Sequence, residues 1–140
     1  MKIYSLNQQS PTTSFKLFAL RIEAGFPSPA DDYIESNLDL NDYLVKNPPA
    51  TFFVRVSGES MIEAGIHPED LLIVDRSLTP QSGQIVIAVL NSEFTVKRLV
   101  KKEGVYWLMP ENKKFKPYQI NDEDDVLIWG VVTNVIHKFD

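Results

Sequence analysis

The sequence predicts a mostly β fold: a compact antiparallel β domain from about residue 38 onward, preceded by a flexible N-terminal arm. Three observations lead there. From residue 51 the chain alternates short apolar, β-branched runs with turn-forming residues. Connections as short as Asn91-Ser92 favour antiparallel hairpins. No helical period long enough for a parallel-strand crossover separates the runs.

Taken in order, residues 1 to about 14 are polar, lack a sustained period and read as a flexible terminus. Residues 15–22 (Phe-Lys-Leu-Phe-Ala-Leu-Arg-Ile) form a short apolar patch suited to an edge strand. Pro27 and Pro29 each lack an N–H and push the preceding residue toward extended geometry, so residues 23–30 are expected to be extended and poorly paired. Leu38-Asp39-Leu40 alternates as a strand does. Residues 41–46 predict a short helix with Asp39 or Asn41 as N-cap, stopped by Asn47-Pro48-Pro49-Ala50. Strands follow at 51–56, 71–74, Ile85–Leu90, 94–100, Val105–Met109 and Val126–Ile136. Turn residues join them: His67-Pro68-Glu69-Asp70, Thr79-Pro80-Gln81-Ser82-Gly83 and Glu103-Gly104. The reading divides the chain into an arm, residues 1–37, and a domain, residues 38–140.

At 140 residues, one domain with an arm is the expected plan. A chain of this length buries roughly 68–70% of its unfolded surface and needs no covalent staples. Cysteine is absent, which excludes a disulfide framework, thiolate metal ligands and a cysteine nucleophile. The net charge of −5 argues against a free-standing DNA binder, because nucleic-acid affinity rests largely on neutralising phosphate. The basic run from Lys97-Arg98 to Lys101-Lys102 is the local exception. No signal peptide and no apolar run of membrane-spanning length is visible, so a soluble, cytoplasmic protein is expected.

One stretch organises the chemistry. Phe52-Phe53-Val54-Arg55-Val56 reads as a buried strand that runs into a tight turn at Gly58 and stops at an exposed Ser60. A hydroxyl at the end of a rigid strand is well placed for nucleophilic attack but needs a base to take its proton. Neither His67 nor His137 has the spacing for a Ser-His-Asp triad, and neither has a metal-ligand partner, so no metal is expected. Asp122-Glu123-Asp124-Asp125 reads as a solvated turn, and there is no Gly-rich phosphate loop. Lysine remains. At its ordinary pKa only roughly one lysine in a few thousand is neutral at pH 7, so a base lysine requires burial. Lys97, between Val96 and Leu99 in an apolar strand, satisfies that requirement. Thr95 shares its face and is positioned to hold the amine, whereas Arg98 points the opposite way. The alternative is plain: Lys97 and Arg98 as snorkelling edge residues, and Ser60 as a turn serine.

Four segments in order tip the balance. Residues 56–61 (Val-Ser-Gly-Glu-Ser-Met), with Gly65-Ile66 and residues 70–75 (Asp-Leu-Leu-Ile-Val-Asp), resemble the nucleophile region of the LexA/UmuD self-cleaving serine peptidases. Phe94-Thr95-Val96-Lys97-Arg98 resembles the lysine strand of that family, residues 25–30 (Gly-Phe-Pro-Ser-Pro-Ala) its cleavage-site segment, and Gly130-Val131-Val132 its C-terminal segment. The resemblance spans roughly residues 17–136 and implies a LexA-like peptidase fold with no cofactor. It implies a Ser60–Lys97 dyad, oxyanion donors at the backbone N–H groups of Glu59 and Ser60, and a scissile bond between Ala24 and Gly25. A second Ala-Gly pair, Ala64-Gly65, is expected to be locked in the folded turn after the nucleophile.

Repressor members of the family carry a helix-turn-helix domain before the cleavage site. Only 24 residues precede Gly25, too few for such a domain, so the short-armed UmuD branch is the nearer match. That branch implies a homodimer whose cleavage is stimulated by a RecA–single-stranded DNA filament. Its trimmed form serves a UmuC-like Y-family polymerase subunit in SOS translesion synthesis, with no direct sequence-specific DNA binding and no membrane association. The departure is Ala24, where this branch often has cysteine; both are small. The alternative is a non-DNA-binding self-cleaving regulator that works through another protein partner. A type I signal peptidase shares the Ser–Lys chemistry but needs an anchor, which residues 15–22, with Lys16 and Arg21, do not supply. The 35 residues from Gly25 to Ser60 span on the order of 100 Å when extended, so reach permits cleavage of the chain's own arm or of a partner's.

Overall fold

The computed structural model describes residues 2–5, 15–18, 24–25 and 34–139, which fall into two compact units. Lys2–Ser5 forms strand β1 and belongs to the larger unit, although the sequence reading assigned it to a flexible terminus. Four residues are too few to show a period on their own; the strand is defined by its antiparallel pairing, Lys2 opposite Arg55 through Ser5 opposite Phe52. Residues 6–14 of that terminus lie outside the described residues.

The smaller unit lies within residues 7–46. Its β2 (Phe15–Phe18) pairs antiparallel with β3 (Ile34–Leu38). The rest of the apolar patch, residues 19–22, and the proline-rich residues 26–30 fall outside the described residues. Leu38 ends β3, and Asp39 turns the chain into α1 (Leu40–Leu44) by accepting a hydrogen bond from the Asn41 N–H. The helix therefore starts one residue before the predicted 41–46, with Asp39 as its cap.

The larger unit is a sheet with β4 (Thr51–Arg55), β5 (Leu71–Asp75), β6 (Ile85–Leu90), β7 (Glu93–Lys102), β8 (Val105–Met109), β9 (Tyr118–Gln119) and β10 (Val126–Ile136). Together with β1 they run in the order β1-β4-β5-β10-β6-β7-β8-β9, and every described pairing is antiparallel. The predicted all-antiparallel, mostly β architecture is what the structure has. Asn91 and Ser92 both take positive φ, as do Glu103 and Gly104, so both hairpins close on two-residue turns whose twist suits the flanking strands.

Alternation along the strands divides the apolar side chains between two clusters. Val54, Val56, Met61, Ile66, Leu72, Val74, Ile87 and Val96 form one, against which Trp129 packs. Val86, Ala88, Leu99, Leu108 and Val131 form the other. On β6, Val86 and Ala88 therefore face away from Ile87, as a period of two requires.

Gly130 sits where β10 shifts register against β6 between Ile128 and Gly130. A Cβ there would stand 2.5 Å from Val74 Cγ1, a short side chain in the core with nowhere to retreat. Gly130→Ala is expected to cost about 1–3 kcal/mol through overpacking, visible as a fall of several degrees in the thermal midpoint. An unchanged midpoint contradicts the close-packed bulge.

Candidate active site

β4 ends at Arg55, and Val56, still buried, carries the chain into the turn. Gly58 takes φ +85°, a conformation that costs a side-chain-bearing residue strain, and the chain reverses there. Residues Ile62–Ala64 make a single 3-10 turn, and Met61 is buried in the core. Ser60 thus lies between a glycine reversal and a side chain anchored in the apolar cluster, so its direction is fixed from both sides. It is half-buried rather than exposed, because the chain folds back over it instead of stopping at the strand end.

Lys97 enters from β7. The first residues of that strand pair with β6 on one side, while pairing with β8 begins only at Arg98. Residues 93–97 accordingly have no strand partner on that second side among the described residues. Lys97 Nζ lies 2.9 Å from Ser60 Oγ, 2.8 Å from Thr95 Oγ1 and 3.0 Å from the Val96 carbonyl oxygen. Arg98, on the opposite face, meets Glu111 through Nε at 2.5 Å and donates from its guanidinium to the Gly83 carbonyl.

Three partners around one nitrogen have a direct chemical reading. An ammonium donates to all three oxygens. A neutral amine has two N–H groups and one lone pair; with Thr95 and the Val96 carbonyl accepting the two, the lone pair faces Ser60, whose O–H then donates to Nζ. Burial pushes the Lys97 pKa below its usual value, because desolvation penalises the charged form and no carboxylate lies among its hydrogen-bond partners. The sequence expectations for Ser60, Lys97 and Thr95 thus meet at one amine.

Two further expectations concern backbone. The N–H groups of Glu59 and Ser60 donate to no acceptor among the described residues, which leaves them available to a ligand. A cavity of about 140 Å³ opens beside them, lined by Val56, Ser60, Met61, Phe94, Thr95 and Val96 among others. Phe94 is held edge-to-face against Trp129, which also packs on Phe52 and lies under the Arg76 guanidinium.

Ala24 and Gly25 are exposed and lie in a bend, in the smaller unit. The other Ala-Gly pair is locked: the Ala64 N–H donates to the Met61 carbonyl and the Gly65 N–H to the Ile62 carbonyl. The histidines meet elsewhere. His137 Nδ1 pairs at 2.5 Å with Asp70, which also accepts the His67 N–H. Burial alone would raise the Asp70 pKa; these hydrogen bonds and the adjacent histidines outweigh it and hold the carboxyl below its usual range. Among the described residues, no group of His, Asp and Glu side chains is arranged to hold a metal. No helix there is long and apolar enough to cross a membrane.

Sequence reasoning missed the segment after β8. The Glu111 N–H donates to the Ser60 carbonyl, and Asn112 Nδ2 donates to the Glu59 carbonyl, both at 2.8 Å. These residues sit in a polar turn with no period, and nothing local pairs position 112 with position 59.

With this geometry in hand, likeness to known proteins becomes informative. Residues 16–133 match the family described as Peptidase S24-like. Protein MucA of Salmonella typhimurium is 48% identical over 133 residues, covering 94% of this chain and 90% of that protein. Protein ImpA of Shigella flexneri is 50% identical over 123 residues, covering 87% and 83%. The LexA repressor of Acidithiobacillus ferrooxidans is 40% identical over 119 residues, covering 83% of this chain but 58% of the repressor. A family match over residues 16–133, with relatives of similar length at 48–50% identity, leaves one assignment: the chain belongs to the Peptidase S24-like family, among its UmuD-like members.

Proposed function

We propose that this UmuD-like chain is an SOS mutagenesis protein that cuts itself once, between Ala24 and Gly25, and then serves a translesion polymerase in trimmed form. The observation that carries the reading is the 2.9 Å approach of Lys97 Nζ to Ser60 Oγ. Neutral Lys97 takes the Ser60 proton as Oγ attacks the Ala24 carbonyl carbon. The carbonyl π electrons move onto oxygen, which the N–H groups of Glu59 and Ser60 receive. Collapse breaks the C–N bond, and the proton on Nζ passes to the departing Gly25 amine. Water, giving a proton to Lys97 Nζ, then attacks the acyl carbon; the bond to Ser60 Oγ breaks, that oxygen takes the proton back from Nζ, and the Ala24 carboxylate is released. Thr95 keeps Nζ on the serine throughout.

The small cavity beside Ser60, about 140 Å³ and lined by both polar and apolar residues, has room for a methyl side chain such as that of Ala24. In this reading the substrate bond belongs to the arm, within the predicted residues 1–37, although Lys2–Ser5 of that stretch pairs with β4; the sheet unit is the peptidase and dimerisation domain. A RecA–single-stranded DNA filament promotes the cut, and the trimmed homodimer joins a UmuC-like Y-family polymerase subunit in the cytoplasm. The relatives of similar length support the reading, since they fit an accessory protein better than a repressor with an added DNA-binding domain.

A chain beginning at Gly25 and carrying Ser60→Ala is expected to support lesion bypass in cells as well as the same chain with Ser60 intact. Loss of bypass in the alanine version alone overturns the one-cut reading, since it requires continuing catalysis.

A further inference from the structure

Residues 110–112 leave β8 and run beside the nucleophile turn, and the reaction described above gives them no part. They nevertheless grip its backbone on both sides of the Ser60 side chain. Asn112 Nδ2 donates to the Glu59 carbonyl at 2.8 Å, the Glu111 N–H donates to the Ser60 carbonyl at 2.8 Å, and the Glu111 carbonyl accepts the Glu63 N–H at 2.8 Å. The Glu111 side chain meets Arg98, the neighbour of Lys97 on β7. One short segment thus ties the serine turn to the lysine strand.

The bond to the Glu59 carbonyl has a specific consequence. That carbonyl and the Ser60 N–H belong to one peptide group, which is planar and trans, so the two point in opposite directions. The Glu59 carbonyl also takes the Ile62 N–H, but at a long 3.4 Å, so the 2.8 Å bond from Asn112 is the tighter hold; it turns the Ser60 N–H away from Asn112, where it meets no acceptor among the described residues. A donor fixed in advance, with no reorganisation at the moment of attack, is what stabilises a developing oxyanion.

We propose that Asn112 is a positioning residue for self-cleavage: it sets the peptide plane that presents the Ser60 N–H to the oxyanion, while the Arg98–Glu111 pair holds its segment against the Lys97 strand. The inference rests on Ser60 acting as the nucleophile.

Asn112 also caps its own turn, its Oδ1 accepting the Lys114 N–H. That division of labour supplies the test. Asn112→Asp keeps the cap oxygen but sets an acceptor in place of Nδ2 against the Glu59 carbonyl. Asn112→Ser keeps a small capping hydroxyl that is too short to reach that carbonyl. Self-cleavage of the full chain is followed by intact mass across pH, with thermal midpoints measured alongside. At least one variant is expected to fold, and each that folds should lose about tenfold or more of the high-pH plateau rate, a fraction of the loss on removing an oxyanion donor outright. In Asn112→Ser the pH midpoint should stay at the wild-type value, because Lys97 is untouched and no charge is added; in Asn112→Asp the new carboxylate favours the ammonium and moves the midpoint up, if at all. A folded variant that cleaves within about threefold of wild type, a shifted midpoint in Asn112→Ser, or failure of both variants to fold overturns the proposal. If the underlying reading were wrong, wild type itself would not cleave, or Ser60→Ala would cleave equally, so the two failures are distinguishable.

Discussion

Lys97→Ala is expected to slow self-cleavage by about 10²–10⁴-fold, the range a general base contributes, and Ser60→Ala to abolish it. The two substitutions remove different things. Ser60→Ala removes the atom that forms the acyl bond. Lys97→Ala leaves that atom but takes away the acceptor for its proton, the amine 2.9 Å from Oγ. Thr95 cannot substitute, because a hydroxyl at 2.8 Å from Nζ has no basic lone pair of comparable strength. Lys97→Arg is expected to fail as fully as alanine, since a guanidinium keeps its proton at every accessible pH. Cleavage progress of the four chains, read by mass after alkaline incubation, checks this; undiminished cutting in Lys97→Ala contradicts the dyad.

The second large effect is on pH. Only the neutral amine is a base, so the rate should rise about tenfold per pH unit while the ammonium predominates and level off at the Lys97 pKa. Burial lowers that pKa. The sign follows: a lower pKa enlarges the neutral fraction at any given pH, and the plateau arrives at a lower pH than an exposed lysine at about 10.4 would give. The same depression acts on stability. The folded state holds the Lys97 proton less tightly than the unfolded chain, so folding carries a cost below the folded pKa that is recovered as pH rises toward the unfolded value. A rate that shows no fall on acidification below the plateau, at any pH at which the chain stays folded, removes Lys97 from the proton path.

Much of this was legible in the residues because the signals are local. Ile85–Leu90, Val105–Met109 and Val126–Ile136 announce themselves as apolar runs bounded by turn residues, and all three strands keep those limits. Ser60 and Lys97 are 37 residues apart, yet each sits in a setting that chemistry can interpret alone: one hydroxyl after a glycine reversal, one amine in an apolar strand. What escaped is what depends on a distant partner. β1 and the two-residue β9 exist only through their pairing with β4 and β8. The half-burial of Ser60 goes with its distant partners, Lys97 on its Oγ and the Glu111 N–H on its carbonyl, which no periodic pattern marks. Asn112 looks like any turn asparagine until its amide is seen on the Glu59 carbonyl.

The central claim is that the chain's own arm is the substrate of Ser60, and one measurement tests it most directly: the intact mass of the purified full chain after incubation at alkaline pH. The account predicts two new masses, residues 1–24 and residues 25–140, that appear together in the wild type and are absent in Ser60→Ala. A cut at any other bond, or the same two fragments from Ser60→Ala, contradicts it.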